Sequence, residues 1–379
     1  LEEALNINYN LQSVLDILGL VQGFTLGCLL LIVSFRYSRS TQWLGFYLLL
    51  FSLKLLIFIP GGLGLDQLNS RFLLLPFNFS WLLFSVFFVY TQKISIFSNK
   101  KTTYWVLYPG ILSFVVQSAI YLLPTATKEM ISQSLWYDLV FTFAGILYSL
   151  GIGLWNLKFL NDHRTEVENT FSQTEQKALS WAKLFLIYSL ISSVVIHIMY
   201  AISPNSYYFK VFFSILDLMA IYWISINGVV QQNVFSSLRV KAPDFTVRDI
   251  TNAGNEQKKD KYPNMGELSL LMEDIDAYMK NSEAFIQGEL TIIDLADKLN
   301  VHPKKISLSI NTIFNENFNT YVNHLRIEKA ESLLHDEASN NFSMEGIGKE
   351  VGFHSKSAFY SAFKKVTGTT PNKYKERIA

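Results

Sequence analysis

The sequence predicts an all-α protein in two parts: a seven-helix transmembrane bundle, then a cytoplasmic domain with two helix-turn-helix motifs. Three observations carry this. Half of the 379 residues are hydrophobic and 15% are aromatic, which is high for a water-soluble chain. Charged residues are sparse from Leu11 to Val230 and dense from Arg239 onward. From Glu267 the apolar residues recur at helical spacing and never alternate as in a strand. The formal charge of +1 says little about partners, so the distribution of charge has to be read instead.

Seven apolar runs fill the first part, at 13–35, 43–60, 72–90, 104–123, 136–157, 184–202 and 211–230. Each has the length that crosses a hydrocarbon core at a rise of ~1.5 Å per residue. A soluble core helix rarely stays apolar on every face for so long. Pro76 and Pro109 fall inside two of the runs, which membrane helices tolerate. The start, LEEALNINYN, is acidic and lacks the basic region of a cleavable signal. Cys28, the single cysteine, reads as a small buried hydrophobe.

Lys and Arg in the short loops set the orientation. Arg36, Arg39, Lys93, Lys100, Lys101, Lys158, Arg164, Lys177 and Lys183 lie on one side, and Arg71, Lys128 and Lys210 on the other. Nine against three puts the first group in the cytoplasm, with the N-terminus outside and the C-terminus inside. Trp43, Trp105, Trp136, Trp155 and Trp181 fall near span ends, as interfacial aromatics do. Ser172 and Glu175 have capping-box spacing, which predicts that the sixth helix begins in the cytoplasm.

Asp16, Lys54, Asp138, His197 and Asp217 are ionisable residues within or near the runs. Charge in lipid is expensive and usually faces the bundle interior or water. Lys54, Asp138, His197 and Asp217 therefore read as the lining of a ligand pocket open to the outside, for a small molecule or a proton. The structural alternative is snorkelling by Lys54 and Asp138 plus one ion pair. His197 and Lys54 are the candidate partners of Asp217, which lies deepest, near the middle of the seventh run.

The domain boundaries follow as 1–230 for the membrane part, 231–264 for a polar cytoplasmic linker and 265–379 for the last domain. The linker has prolines, a glycine and mixed charges, with no persistent period.

In the last domain, Leu268, Leu271, Ile275 and Met279 share one helical face. Thr291 and Asp294 form a capping-box pattern ahead of the stripe Ile292, Leu295 and Leu299. Asn300 suits a left-handed helix end, and Pro303 suits the first turn of the next helix, where Ile306 and Ile310 face inward. The arrangement repeats, with Ser343 as cap, Ile347 and Val351 inward, Gly352 at the turn, then Phe359 and Phe363 inward. Asn300 and Gly352 are 52 residues apart and Ile306 and Phe359 are 53 apart, so the second turn holds one extra residue. FNTYVNHLRIEKAESLLH joins the two as a connecting helix, long enough to set two recognition helices about one DNA turn apart.

The stretch from Glu267 to Ile378 resembles the AraC/XylS family of bacterial transcription regulators. In GFHSKSAFYSAFKKVTGTTPNKY, the residues Gly352, Phe353, Phe359, Phe363, Gly368, Pro371 and Tyr374 occupy that family's signature positions. The resemblance covers the last third of the chain. It implies groove-facing positions at Lys304, Ser307, Leu308 and Asn311 in the first motif, and at Lys356, Ser357, Tyr360 and Ser361 in the second. Lys can donate to guanine, Asn can bond adenine, and Ser bonds either partner. Leu308 departs from the polar residue expected there and could meet a thymine methyl. Lys305, Lys364, Lys365 and Lys373 are candidates for phosphate contact. From Lys349 to Arg377, seven basic residues face two acidic ones, Glu350 and Glu376.

Six histidines show no metal-ligand spacing, and His302 and His354 precede the two recognition helices, where cap or phosphate roles fit. No phosphate-cradling loop, nucleophile elbow or kinase motif is found, so an enzyme and a cofactor are not expected. The expectation is a transcription regulator in the bacterial inner membrane, whose membrane part senses a signal and whose last domain binds double-stranded promoter DNA. Its expected partners are DNA, the lipid bilayer, the signal, a second copy as a homodimer and, by the resemblance, the transcription machinery. The alternatives are a transporter or a plain anchor carrying a regulatory DNA-binding tail. Against the transporter, the chain shows no pair of similar halves with interrupted helices.

Overall fold

The structure is a computed structural model that describes residues 10–37, 41–63, 72–203, 206–231, 234, 264–336 and 342–378. It forms two compact units. The first comprises Leu1–Asn161 and Leu179–Phe235, and the second comprises Asp162–Ala178 and Ser236–Ala379. The segment 162–178, a helix end and the loop after it, read from sequence as part of the membrane domain, is thus grouped with the last third of the chain. The linker read at 231–264 lies outside the described residues except for Gln231, Val234 and Asn264. The fold is all-α. Among the described residues, the only pairing of strand type is one isolated antiparallel bridge, Phe171 with Thr291.

The first unit contains α1 (Leu11–Tyr37), α2 (Thr41–Leu53), α3 (Leu83–Ile94), α4 (Tyr108–Tyr121) and α5 (Thr125–Ser132). It then contains the first part of α6 (Ala144–Thr170), α7 (Ser180–Ile202) and α8 (Tyr207–Val230). Among the described residues, five helical stretches are long and apolar enough to cross a bilayer: Leu11–Ile32, Tyr104–Tyr121, Leu135–Thr170, Ser180–Met199 and Tyr207–Gly228. The second and third apolar runs form only the shorter helices Thr41–Ile57 and Leu83–Ile94.

Proline explains much of the difference. Pro60 lies in the short turn Ile59–Gly62 that follows a tightened 3₁₀ turn, Lys54–Ile57. Pro76 lies in irregular backbone ahead of α3. That backbone is held by other parts of the unit, which is the condition for non-helical chain at membrane depth. Gln117 Nε2 donates to the Asn78 carbonyl at 3.1 Å, and Trp81 Nε1 donates to the Val140 carbonyl at 3.1 Å. Pro109, by contrast, interrupts no helix, since it sits in the first turn of α4.

The core of this unit gathers Leu44, Leu48, Phe87, Phe88, Tyr90, Phe185, Ile221 and Ile224 from α2, α3, α7 and α8. Gly27 on α1 and Gly45 on α2 bring two backbones together. A Cβ at Gly45 would lie 3.0 Å from the Gly27 carbonyl oxygen, the small-residue approach common between membrane helices. Large apolar side chains point outward over the whole unit, among them Leu122, Ile191, Met219 and Ile226. Cys28 is half-buried, less enclosed than its sequence context suggests.

The second unit is built on α9 (Met265–Ser282), α10 (Ile292–Leu299), α11 (Pro303–Phe314), α12 (Phe318–His335), α13 (Met344–Glu350), α14 (Lys356–Thr367) and α15 (Pro371–Ile378). The helices stand on the local signals the sequence carries. Thr291 and Asp294 make a reciprocal capping box on α10, and Ser343 caps α13 by accepting from Gly346 N–H. Asn300 takes the left-handed conformation, φ 53°, to end α10. Leu268, Met272, Ile275 and Met279 bury one face of α9, which packs on α11. Ile327, Ile347, Val351, Phe353, Phe359 and Phe363 close a second core around α12, α13 and α14.

The capping box expected at Ser172 and Glu175 is absent. The helix α7 starts eight residues later, at Ser180, and both side chains bond to the last third of the chain instead.

Candidate nucleic-acid interface

Two pairs of short helices, α10 with α11 and α13 with α14, each join through a tight turn. The faces of α11 and α14 divide sharply. On α11, Ile306, Ser309 and Ile310 are buried, while Lys304, Lys305 and Asn311 are exposed and Ser307 and Leu308 are half-buried. On α14, Phe359, Ala362 and Phe363 are buried, while Lys356, Ser357, Ser361, Lys364 and Lys365 are exposed and Tyr360 is half-buried. Spacings of three and four residues align each outward set along one side of its helix.

Cap residues fix where these helices begin. His302 Nδ1 accepts from Lys304 N–H at 3.2 Å, and Ser355 Oγ accepts from Ala358 N–H at 3.1 Å. His302 thus caps α11, one of the two roles its position suggested. His354 instead bonds Glu289, at 2.9 Å. The Tyr360 hydroxyl donates to Asn372 Oδ1 at 3.1 Å, and Lys356 Nζ lies 5.4 Å from the Tyr360 ring. Lys365 Nζ donates to Thr320 Oγ1 at 3.4 Å.

Between the pairs, α12 is a single 18-residue helix, about 27 Å long at ~1.5 Å per residue. Gly352 lets α13 turn into α14. Its φ is +96°, and a Cβ there would come within 2.3 Å of the Ile286 carbonyl oxygen. No other residue type meets both conditions without strain.

Residues 295–377 match the family of helix-turn-helix domains. The C-terminal domain is an AraC-type regulator domain. Among solved structures, the chain is similar to the C-terminal domain of AraT, a response regulator from Geobacillus stearothermophilus. The identity is 31% over 29% of this chain and 87% of that one, with a TM-score of 0.26. Comparison with curated proteins gives no match. A DNA-binding role in transcription regulation follows from the domain type.

The AraC-type domain encloses a buried cation that the sequence reading passed over. Arg326 on α12 is fully buried. Its Nε donates to the Phe285 carbonyl at 2.7 Å, and its Nη2 donates to the Gln287 carbonyl at 2.9 Å and to Ser172 Oγ at 3.2 Å. Its Nη1 donates to the Ser172 carbonyl at 3.4 Å. Burial lowers the guanidinium to about 10 while Glu289 opposes the shift, so it stays charged at neutral pH. A signal for it existed: Arg326 falls at the four-residue spacing of Phe318, Val322 and Ala330, all of them buried.

Ser172, Gln173, Glu175 and Glu289 were likewise not singled out for this site. Burial raises the Glu289 carboxyl, but Lys177 and His354 outweigh it, and the net shift is below the usual range.

In the first unit, Lys54 and Asp217 meet as the sequence suggested, with Nζ 3.0 Å from Oδ2. Lys54 also lies 4.3 Å from the Phe51 ring. Asp16 is almost fully buried, 2% exposed, and accepts from Gln12 Nε2 at 3.4 Å. His197 turns to its own helix, with Nδ1 2.6 Å from the Ser193 carbonyl. Asp138 is exposed at the start of a π-helical stretch, Asp138–Phe143.

Proposed function

We propose that the chain is a membrane-bound, sequence-specific transcription regulator. In this reading α11 and α14 enter successive major grooves of promoter DNA. Lys304, Ser307, Leu308 and Asn311, then Lys356, Ser357, Tyr360 and Ser361, meet base edges, while Lys305, Lys364 and Lys365 meet phosphates. The observation that carries the proposal is the pair of helices with divided faces, α11 and α14, both packed on α12 within an AraC-type domain.

The five long apolar helices support a bilayer location. The loop charges support an outside N-terminus and a cytoplasmic C-terminus in a bacterial inner membrane. The first unit then acts as the sensor. Lys54 and Asp217 are proposed as its responsive pair, for a small molecule or a proton, with Asp138 and His197 as further lining positions. A homodimer fits the function, because two copies on a paired site raise effective concentration.

The test uses the full chain in nanodiscs and a duplex selected from a random-sequence pool. Lys356→Ala should change preference at one base step, by about 1–3 kcal/mol. Lys365→Ala should weaken binding to all duplexes alike and flatten the salt dependence. Absence of sequence preference at every salt concentration would refute the proposal.

A further inference from the structure

The segment Asp162–Ala178 precedes the AraC-type domain by more than eighty residues in sequence, yet it belongs to the same compact unit. Its attachment is specific. Ser172 N–H donates to the Leu290 carbonyl at 3.0 Å, and the Ser172 carbonyl accepts from Asn319 Nδ2 at 2.7 Å. Gln173 Nε2 donates to the carbonyl of Gly352, the turn residue between α13 and α14. Lys177 Nζ pairs with Glu289 Oε2 at 3.1 Å. Glu175 reaches the start of α14 itself. Its Oε1 accepts from Ser355 Oγ at 2.7 Å and from Ser357 Oγ at 3.3 Å.

Three features make this contact more than packing. First, Ser355 is the cap of α14, and a helix start is where a DNA phosphate is favoured. An anionic side chain already stands there. Second, Ser357 is one of the proposed base-facing residues, and its hydroxyl is engaged by Glu175 rather than free. Third, a cavity of about 550 Å³ continues along the same side of α14, lined by Arg164, Glu168, Glu175, Ser357, Ser361 and Lys365. A major groove about 12 Å wide must close around α14 from both sides, and the segment stands on one of them.

We infer that this surface of α14 is an interaction surface with two mutually exclusive partners, the chain's own segment 172–175 and duplex DNA. The inference rests on the proposed DNA-reading role of α14. The segment joins α6 to α7, both among the long apolar helices, so a signal that moves either one acts directly on the contact. With the segment docked, the second motif is closed to DNA. With the segment withdrawn, the hydroxyls of Ser355 and Ser357 are released from Glu175 and can meet DNA.

The experiment measures duplex affinity of the full chain in nanodiscs for three variants. Glu175→Gln removes the charge but keeps the shape, and Gln173→Ala removes the bond to Gly352. Asp162→Asn makes the same charge change at an exposed position outside the docked stretch 172–175. The first two should tighten binding about tenfold, and Asp162→Asn should change it less than twofold. In the wild-type chain, amide exchange of residues 172–178 should accelerate when the duplex is added. Equal or weaker binding by both loop variants, or unchanged exchange under saturating duplex, would overturn the inference while leaving DNA reading intact. No duplex binding by any form would overturn the regulator proposal and this inference with it.

Discussion

Arg326→Met replaces a buried cation with an apolar side chain of similar length. The guanidinium makes four hydrogen bonds, to the carbonyls of Phe285, Gln287 and Ser172 and to the Ser172 hydroxyl. Two of these are short, and the bond to the Ser172 carbonyl is long. A buried group left unpaired costs about 1–3 kcal/mol. Methionine offers no donor, so two or three acceptors lose theirs at once. Some of the loss is offset, because the charged form no longer has to be desolvated.

The net expectation is a destabilisation of the C-terminal domain by about 3–5 kcal/mol, within the range for breaking a buried charge network. Against a typical domain stability of about 5–15 kcal/mol, that brings the domain near unfolding. Arg326→Lys keeps a charge but has a single donor head on a different fork geometry, so about 1–3 kcal/mol is expected. Limited proteolysis of the full chain in nanodiscs, across a urea series, reads the stability of the exposed domain. An Arg326→Met domain that resists protease as well as wild type would show that the guanidinium's bonds do no more than balance its burial.

Two further predictions rest on the same kind of geometry. Gly352→Ala combines a positive φ with a backbone clash and should cost about 2–4 kcal/mol, whereas Gly368→Ala, at φ +74° with nothing within 4 Å, should cost about 1 kcal/mol; equal proteolytic stability of the two variants would contradict this. Asp217→Asn should fix transcriptional output in one state at normal membrane abundance, and a well-expressed variant with an unchanged response in a reporter assay would remove Asp217 from signalling.

Much of the last third was legible because its signals are local. Thr291 with Asp294, Asn300, Pro303, Ser343 and Gly352 each act within a few residues, and each holds its expected position. The apolar runs were legible as helices but less so as spans. Length and hydropathy cannot show that Pro60 and Pro76 shorten two of them, because the bonds that tie down the irregular backbone near Pro76, Gln117 to Asn78 and Trp81 to Val140, join residues far apart in the chain. The pairing of Lys54 with Asp217 was readable because an isolated charge in an apolar run needs a partner and few are on offer. The preference of His197 for its own Ser193 carbonyl was not, since a helix always offers that acceptor.

The misread capping box is the most instructive case. Ser172 and Glu175 do have the spacing that caps a helix, and both are hydrogen-bonded, so the chemistry of the side chains was read correctly. What a local pattern cannot encode is competition. A capping serine satisfies one backbone N–H, whereas Ser172 here helps to satisfy a buried guanidinium, a larger demand. Glu175, in place of a reciprocal bond to a backbone N–H, takes two serine hydroxyls at the start of α14. The cost is a helix α7 that begins at Ser180 behind a left-handed Leu179 with no side-chain cap. Left-handed backbone at a leucine costs about 1–2 kcal/mol. That strain persists only while the docked segment compensates for it, so releasing 172–175 from the AraC-type domain would allow α7 to recover a cap and a relaxed entry. In the proposed switch the undocked state would therefore have a local stabilisation of its own, which opposes the hydrogen bonds of the docked one.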